Sequence, residues 1–418
     1  MMQAGRMPRL AWLLVPLAVA VVVAAPSGVP DQAAQGPFAG AFVERPSPAP
    51  AGSAQPNLAV GPDGALWLSW LETREEGGHR FRVSRLAGES WTPPVTVAEG
   101  PRFFANWADF PSVFVARDGT IAVHWLQRGD GRGTYDYGVR VRTSRDGVTW
   151  TDALIPYGDR SPTEHGFVSF YDDPKSGLGL IWLDGRNMGG HEGQGSMSLR
   201  SASLQGGQPS HEQLIDGKVC DCCQTSAAAT DEGVVIAYRD RSDDEIRDMS
   251  IARLIDGRWT QPTSLHADGW QINACPVNGP SVAARGRSVA AAWFTAEGGT
   301  PRSLVAFSSD GGASFGQPVQ IGSADTLGRV AVVMPGPDRA LVSSLERDQD
   351  GGQVVVRQVR PAGSARVSEP TVVARTAPQR ASGFARMAID GRGRLFVAWT
   401  DVRPAAPPRV RIASAGLR

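Results

Sequence analysis

A repeat of about 55 residues is the feature of this sequence that most restricts its fold. Seven apolar runs end alike: "ALWLSWLE", "TIAVHWLQ", "LGLIWLDG", "GVVIAYRD", "SVAAAWFT", "RALVSSLE" and "RLFVAWTD". Their aligned residues are Trp70, Trp125, Trp182, Tyr238, Trp293, Ser344 and Trp399, at spacings of 51 to 57 residues. Short apolar runs rich in β-branched and aromatic residues favour strands, so the repeat predicts seven similar β-units.

Each unit contains about four strand-like stretches. A short run such as "PSVFVA" precedes the aligned one, and two more follow it, such as "SLVAFSS" and "PVQIG". A single four-stranded sheet cannot bury both of its faces, so such units stack against one another in a ring. The sequence therefore predicts an all-β protein, a β-propeller of about seven four-stranded blades over residues 57–418, with a six-bladed propeller as the alternative.

The N-terminal segment has the pattern of an export signal. Arg6 and Arg9 precede the apolar run "AWLLVPLAVAVVVAA" and a stretch of small residues. This order is typical of a secretory signal peptide, so residues 1–25 are predicted to be a signal peptide or an uncleaved membrane anchor. The chain is then expected to be exported, to the periplasm or outside the cell, with a membrane tether if the anchor persists.

Residues 26–56 are rich in Pro, Ala and Gly and are predicted to be a spacer. Within it, "FAGAFVE" at 38–44 is more apolar than its surroundings. The seventh unit ends after its third strand, "RVRIAS", so we expect 38–44 to supply the missing outer strand and close the ring. The alternative is that this segment packs on the surface.

The charge balance excludes two classes of partner. The chain has 42 Lys and Arg residues and 42 Asp and Glu residues, without basic runs or an acidic tail. Nucleic acid and anionic membrane surfaces are therefore not predicted as partners. A small molecule, a glycan or a metal ion remains as the expected ligand of a protein that is predicted to be a monomer.

Two segments carry a turn motif between the third and fourth strands of their units. They are "SRDGVTW" (144–150) and "SSDGGASF" (308–315). These resemble the Asp-box, or BNR, repeats of the sialidase superfamily, in which the box forms a structural turn on the face away from the active site. The resemblance implies structural roles for Ser144, Asp146, Trp150, Ser308, Asp310, Gly312 and Phe315, and makes exo-α-sialidase-type glycoside hydrolysis an alternative function.

Functional residues are expected on the opposite face, which collects the unit-to-unit connections and the loops after the second strands. The acid and base candidates are Asp184, Asp240 and Glu164. The candidates for ligand contact are Arg186, Arg239, Trp107, Trp270, Asn273 and His165.

The family's catalytic pattern matches this sequence only in part. Sialidases share an arginine triad, a Tyr/Glu pair and an Asp, with an early Arg-Ile-Pro motif. The nearest match to that motif is Arg45 followed by Pro46, and the last tyrosine is Tyr238, so the late tyrosine of the family has no counterpart here.

Four cysteines also fall on this face. "VCDCCQT" contains Cys220, Cys222 and Cys223, and Cys275 lies in the next connection, so all four sulfurs can meet. Three interpretations remain open: structural disulfides, a thiol redox switch, or a soft-metal site for copper or zinc formed by the four cysteines and His191. Complete pairing into disulfides looks difficult, because Cys222–Cys223 and Cys220–Cys222 bonds both close small rings.

The sequence thus predicts an exported, sialidase-like propeller that binds a ligand or a soft metal at a cysteine-rich face. Glycoside hydrolysis is one alternative, and a protein-interaction platform without catalysis is the other.

Overall fold

The structure, a computed structural model, describes residues 1–2, 36–131, 133–188, 195–363 and 366–418. Nearly all of the predicted signal segment lies outside these residues, and so does His191. In the described part of the chain, no helix has the length and apolar character needed to cross a bilayer.

The structure confirms an all-β propeller, and the number of blades is seven rather than six. Each blade is an antiparallel sheet whose strands follow one another from the axis outwards. A short strand, β1 (Val43–Arg45), precedes the first blade.

The strands of blades 1 to 3 are β2 (Ser53–Val60), β3 (Leu66–Thr73), β4 (His79–Ala87), β5 (Ser90–Trp91) and β6 (Val95–Gly100); β7 (Ser112–Val115), β8 (Ile121–Arg128) and β9 (Tyr137–Ser144); and β10 (His165–Tyr171), β11 (Gly179–Asp184), β12 (Met197–Gln205) and β13 (Gln208–Val219). Those of blades 4 and 5 are β14 (Ser226–Thr230), β15 (Gly233–Arg239), β16 (Met249–Ile255), β17 (Arg258–Trp259) and β18 (Thr263–His266); and β19 (Ser281–Arg285), β20 (Ser288–Thr295), β21 (Arg302–Ser308) and β22 (Val319–Ile321). Those of blades 6 and 7 are β23 (Ala331–Gly336), β24 (Arg339–Asp348), β25 (Gly351–Val359) and β26 (Thr371–Thr376); and β27 (Arg386–Ile389), β28 (Arg394–Asp401) and β29 (Arg409–Gly416). Among the described residues, short 3₁₀ helices span Glu297–Gly299 and Arg380–Ser382.

The hydrophobic core lies between the blades. The part of the chain that the structure describes contains seven clusters of buried apolar side chains, one at each interface between neighbouring blades. Successive side chains of a strand point to opposite faces of its sheet, so each second strand contributes to two clusters. In blade 3, for example, Trp182 packs toward blade 2 and Ile181 toward blade 4.

The aligned residues are buried, and in three blades they donate to a carboxylate two positions later. The indole of Trp70 donates to Glu72 at 2.8 Å, and that of Trp182 donates to Asp184 at 2.8 Å. In blade 6 the hydroxyl of Ser344 donates to Glu346 at 3.0 Å. In other blades the contact differs, since the indole of Trp293 donates to Asp268.

The ring closes through the N-terminal segment. β1 pairs with β29, with Val43 opposite Ser414, and Phe38 forms a further bridge to Leu417. Phe38 is buried against blade 7. Arg45 lies in this outer strand and donates to Ser414, so it is at the rim of the propeller rather than at its axis.

The two turns singled out as Asp-boxes have the contacts of structural turns. Asp146 accepts hydrogen bonds from the amides of Val148 and Thr149, at 2.8 and 2.7 Å, and from the hydroxyl of Ser144. Asp310 likewise accepts from the hydroxyl of Ser308 at 2.7 Å. These hydrogen bonds lower the pKa of Asp146 to about 2, so its carboxylate is ionised at neutral pH.

Candidate functional site

A cavity of about 440 Å³ lies on the axis of the propeller, lined by the innermost strands of all seven blades. Each blade contributes one residue of its innermost strand to a ring at one end of the cavity. This residue is the first one of the strand, except in β2 and β10, where it is the first one after a bulge. This ring consists of Asn57, Ser112, Ser169, Ser226, Ser281, Ala331 and Arg386. Several members join neighbouring blades, as when the hydroxyls of Ser226 and Ser281 accept from the amides of Val282 and Val332 at 3.0 Å.

Arg386 is the exception in this ring, because a long cation replaces a small residue. Its guanidinium lies 4.3 Å from the centre of the Phe110 ring, and its Nε is buried without a hydrogen-bond partner. Burial lowers the pKa of Arg386 to about 10. A ligand that supplied an acceptor here would satisfy this group.

Arg386 and Phe110, which line the cavity, belong to a larger group of cations and aromatic rings that we call the arginine–aromatic cluster. Its members are Trp107, Phe110, Phe384, Arg329, Arg380 and Arg386. The guanidinium of Arg329 lies 4.9 Å from the Trp107 ring centre and donates only to backbone carbonyls. Burial, and then the charge of Arg380, lowers the pKa of Arg329 to about 10.

None of these three arginines forms an ion pair with a carboxylate within the described ranges of the chain. Two of the three cations are largely buried, and an unpaired buried charge is costly unless an opposite charge binds beside it. The cluster therefore has the chemistry of a site for an anionic group, with aromatic faces next to it.

Three proton-carrying groups meet beside the cavity. The hydroxyl of Tyr137, at the start of β9, bonds to Oδ2 of Asp109 at 2.9 Å and also to Oε1 of Glu164. The second oxygen of Asp109 accepts from the amide of Phe167 at 2.8 Å. The Phe104 ring stacks on Tyr137, with 3.8 Å between ring centres. Asp109 itself lines the axial cavity.

This triad of Asp109, Tyr137 and Glu164 holds protons near neutral pH. Burial raises the pKa of Asp109 to about 7 and that of Glu164 to about 8. Burial and the two neighbouring carboxyls raise the pKa of Tyr137 well above its usual value. A tyrosine between two such carboxyls can pass its proton to one while the other donates, which suits acid–base chemistry.

Gly166 makes the close approach of these groups feasible. A Cβ at this position would lie 1.9 Å from Oδ2 of Asp109 and 3.0 Å from the Tyr137 ring. Only glycine leaves the space that the Asp109 carboxyl occupies.

Asp184, Arg186 and His165 form a separate network. Asp184 is fully buried and accepts from Arg186 through two bonds of 2.7 Å, and Arg186 also pairs with Glu212. Although burial opposes ionisation, these hydrogen bonds lower the pKa of Asp184. His165 contacts Asp159 at 3.1 Å. Asp184 therefore positions Arg186, and its lowered pKa disfavours the proton-donor role that the sequence suggested.

Arg239 and Trp270 are also structural. Arg239 is almost fully buried and donates to the backbone carbonyls of Arg247, Asn278 and Phe294. Trp270 is buried beneath it, with the guanidinium 4.9 Å from its ring centre. Both side chains are buried in these contacts, and their predicted role in ligand binding stays a prediction.

The remaining candidates lie in different surroundings. Asp240 accepts from Ser250 at 2.9 Å and has a pKa raised by burial and by Asp216. Asn273 is exposed in its loop, away from the residues that line the cavity. Glu164 is the predicted carboxyl that joins the triad, and Trp107 is the predicted aromatic residue that belongs to the arginine–aromatic cluster.

Cys275 meets the cysteine cluster, as predicted. Cys222 and Cys275 form a disulfide between two consecutive connections, in agreement with the disulfide alternative. In this form these two sulfurs are not thiolates, and His191 lies outside the described residues, so the metal set of four cysteines with His191 stays a prediction. Cys220 and Cys223 are free, buried, and 2.8 Å apart between sulfurs. The spacing of Cys220 and Cys223 is C-x-x-C, a pairing that the sequence argument overlooked.

Two arginines surround the free pair. Nη1 of Arg247 lies 3.6 Å from the sulfur of Cys220. Burial alone would raise the pKa of Cys220, but the hydrogen bond from Cys223 and the charges of Arg239 and Arg247 outweigh it, and the pKa falls to about 7. Burial and the nearby Cys220 sulfur raise the pKa of Cys223.

Sequence reasoning missed Asp109 and Tyr137. The sequence does contain a signal for Asp109, which lies three residues before Ser112, the member of the axial ring from blade 2. At the equivalent position, blades 3, 6 and 7 have glycine (Gly166, Gly328 and Gly383), whereas blade 2 has an acidic residue. Tyr137 has no comparable signal, since an aromatic residue at the start of a strand is common.

Comparison with known proteins supports the fold. No family model and no curated protein matches this chain. Among solved structures, it is similar to an ulvan lyase of polysaccharide lyase family PL25, with 11% identity over 89% of this chain and 96% of that chain and a TM-score of 0.55. It is also similar to a protein of unknown function from Dyadobacter fermentans, with 15% identity over 90% and 98% and a TM-score of 0.52. The third is the endosialidase of phage phi92, with 11% identity over 91% and 70% and a TM-score of 0.50. At these identities the likeness shows the propeller fold alone.

Proposed function

We propose that the chain is an exported glycoside hydrolase that acts on an anionic sugar at the mouth of the axial cavity. The observation that carries this proposal is the hydroxyl of Tyr137 held between the carboxyls of Asp109 and Glu164, beside a cavity that Asp109 lines. The fold neighbours support a glycan as the substrate class, because two of them are named as an ulvan lyase and an endosialidase.

The triad supplies the groups that hydrolysis through a tyrosine nucleophile requires. Tyr137 attacks the anomeric carbon while Asp109, the carboxyl with the lower pKa, accepts its proton in the ionised form. The neutral form of Glu164, the carboxyl with the higher pKa, protonates the leaving oxygen as the glycosidic bond breaks. Water then hydrolyses the glycosyl–tyrosine bond, and both carboxyls return to their first protonation states. Tyrosine nucleophiles are an established exception to the usual carboxylate pair of glycosidases.

The arginine–aromatic cluster supports an anionic substrate. Arg329, Arg380 and Arg386 supply positive charge that no carboxylate of the described residues neutralises, and Trp107 and Phe110 pack among their guanidinium groups. A structure of the same fold is a polysaccharide lyase bound to -[GlcA(1-4)Rha3S]-, which is an acidic glycan.

The test is turnover of fluorogenic sialosides and glycosides of uronic acids by the full chain. We expect Tyr137→Phe to lower kcat by at least about 100-fold, because it removes the nucleophile. Tyr238→Phe is the matched control and should retain turnover, because the Tyr238 hydroxyl donates to Asp216, which is not a member of the triad. Arg386→Met should raise KM for anionic substrates more than for neutral ones.

Three results would overturn the proposal. The first is the absence of turnover for every glycoside in the panel, and the second is full activity of Tyr137→Phe. The third is cleavage of a uronate polysaccharide that yields unsaturated products, which indicates elimination instead of hydrolysis at this site.

A further inference from the structure

A buried dithiol lies directly beneath the surface disulfide. The sulfurs of Cys220 and Cys223 are 2.8 Å apart, and both residues are buried. The sulfurs of Cys220, Cys222 and Cys223 all lie within 4.8 Å of one another. Sγ of Cys222, one of the two sulfurs of the surface disulfide, is therefore within 4.8 Å of both free sulfurs.

The charges around the pair favour one thiolate. Arg247 approaches Cys220 at 3.6 Å, and Arg239 is buried nearby with its donors held by backbone carbonyls. A thiolate is the attacking species in thiol–disulfide exchange, and adjacent arginines stabilise it. Cys220 is thus the nucleophile of the pair and Cys223 its protonated partner.

Access to these sulfurs is unequal. Cys275 is exposed and Cys222 is partly exposed, whereas Cys220 and Cys223 are 0% and 2% exposed. A reagent in solution meets the disulfide first. The buried pair can exchange electrons with solution only through Cys222, unless the fold opens.

We propose that the four cysteines form a thiol–disulfide exchange site, in which the surface disulfide Cys222–Cys275 relays oxidation from an external disulfide to the buried pair Cys220/Cys223. The external partner is a small disulfide or the active disulfide of a thiol oxidoreductase. This inference does not depend on the proposed glycan chemistry.

The exchange proceeds in two balanced steps. The Cys220 thiolate attacks Sγ of Cys222, the Cys222–Cys275 bond breaks, and its electron pair leaves on Cys275, which takes up a proton. Cys223 then loses its proton and attacks Sγ of Cys220, so that Cys222 leaves as a thiolate. The disulfide has moved to Cys220–Cys223, and an external disulfide re-forms Cys222–Cys275 while being reduced to two thiols.

The test follows which cysteines become linked, and when. The full, folded chain is reduced with dithiothreitol, freed of reductant and exposed to oxidised glutathione. Samples are quenched with acid, alkylated after denaturation and mapped by peptide mass spectrometry. In the wild type we expect Cys222–Cys275 to form first and Cys220–Cys223 to follow.

Two variants separate the relay from a general loss of stability. Cys222→Ser and Cys275→Ser both lose the surface disulfide, but only Cys275→Ser keeps the relaying sulfur. We expect Cys222→Ser to slow formation of Cys220–Cys223 by at least about tenfold, and Cys275→Ser to slow it by less than about threefold, because a glutathione mixed disulfide at Cys222 can still be attacked.

Three results would overturn the proposal. The buried pair oxidises equally fast in both variants; or it stays a dithiol in the folded wild type; or elemental analysis finds a metal ion bound to Cys220 and Cys223 that blocks their oxidation. If Cys222→Ser fails to fold, Cys223→Ser replaces it, and the trapped Cys220–Cys222 disulfide is then the expected species; its absence counts against the relay.

Discussion

At the scale of single residues, Asp109 and Glu164 make stability depend on pH. Burial raises their pKa values from 3.8 to about 7 and from 4.5 to about 8. Between about pH 4 and 8 the folded chain therefore binds more protons than the unfolded chain, and the free energy of unfolding falls as pH rises. Asp109 alone accounts for a loss on the order of 4 kcal/mol.

We expect Asp109→Asn combined with Glu164→Gln to flatten the wild-type decline in stability between pH 4 and 8. Denaturant unfolding at a series of pH values measures it. Asp146→Asn is the control, because the lowered pKa of Asp146 places its own loss of stability below pH 4, as pH falls toward about 2. An equally steep decline in the double variant would show that these two carboxyls are not the groups that titrate.

At the scale of elements, the start of β10 sets the geometry of the triad. Gly166 lies between Asp109 and Tyr137, and the bulge that follows it brings the amide of Phe167 to the Asp109 carboxyl. The geometry of the triad thus depends on the missing side chain of Gly166 as much as on the side chains of the triad itself.

We expect Gly166→Ala to destabilise the fold by about 2 kcal/mol, because the added Cβ would overlap Asp109 and force it aside. It should also lower glycoside turnover as much as Asp109→Asn does. Gly217→Ala is the matched control in β13, with no atom within 4 Å of its added Cβ, and should change stability by less than about 0.5 kcal/mol. Unfolding midpoints and turnover of both variants check this, and equal behaviour of the two would contradict it.

At the scale of the whole molecule, the propeller is held as a ring by β1. Phe38 packs in the cluster between blades 6 and 7 and lies edge-on to Phe42, with 4.8 Å between ring centres. Val43 in the same segment is exposed. The N-terminal segment therefore contributes both a strand and a buried anchor to the last blade.

We expect Phe38→Ala to lower the free energy of unfolding by about 3 kcal/mol, since it removes a buried aromatic ring at the closure. Val43→Ala should change it by less than about 0.5 kcal/mol, because the side chain is exposed. Chemical denaturation of both variants makes the comparison. A small effect of Phe38→Ala would mean that blade 7 does not need the N-terminal anchor.

Part of the site could be predicted because, in a repeat protein, residues at equivalent positions of the repeats occupy equivalent positions in the fold. Equivalent connections of neighbouring blades lie side by side, which is why the meeting of Cys222 with Cys275 was predictable. The same logic, applied to the carboxylate two residues after Trp182, would have assigned Asp184 with Glu72 and Glu346 to the structural set.

The sequence by itself determined the class, a propeller of about seven blades with six as the alternative, and the face that carries the cysteines, since strand periodicity and repeat spacing are local properties of the chain. Only the tertiary structure decided which sulfurs bond, which arginines remain unpaired, and that Tyr137 meets Asp109 and Glu164. Those outcomes depend on how side chains from different blades point toward one another over distances of about 3 Å. A hydrogen bond or a disulfide requires atomic positions that are far more precise than any sequence pattern specifies.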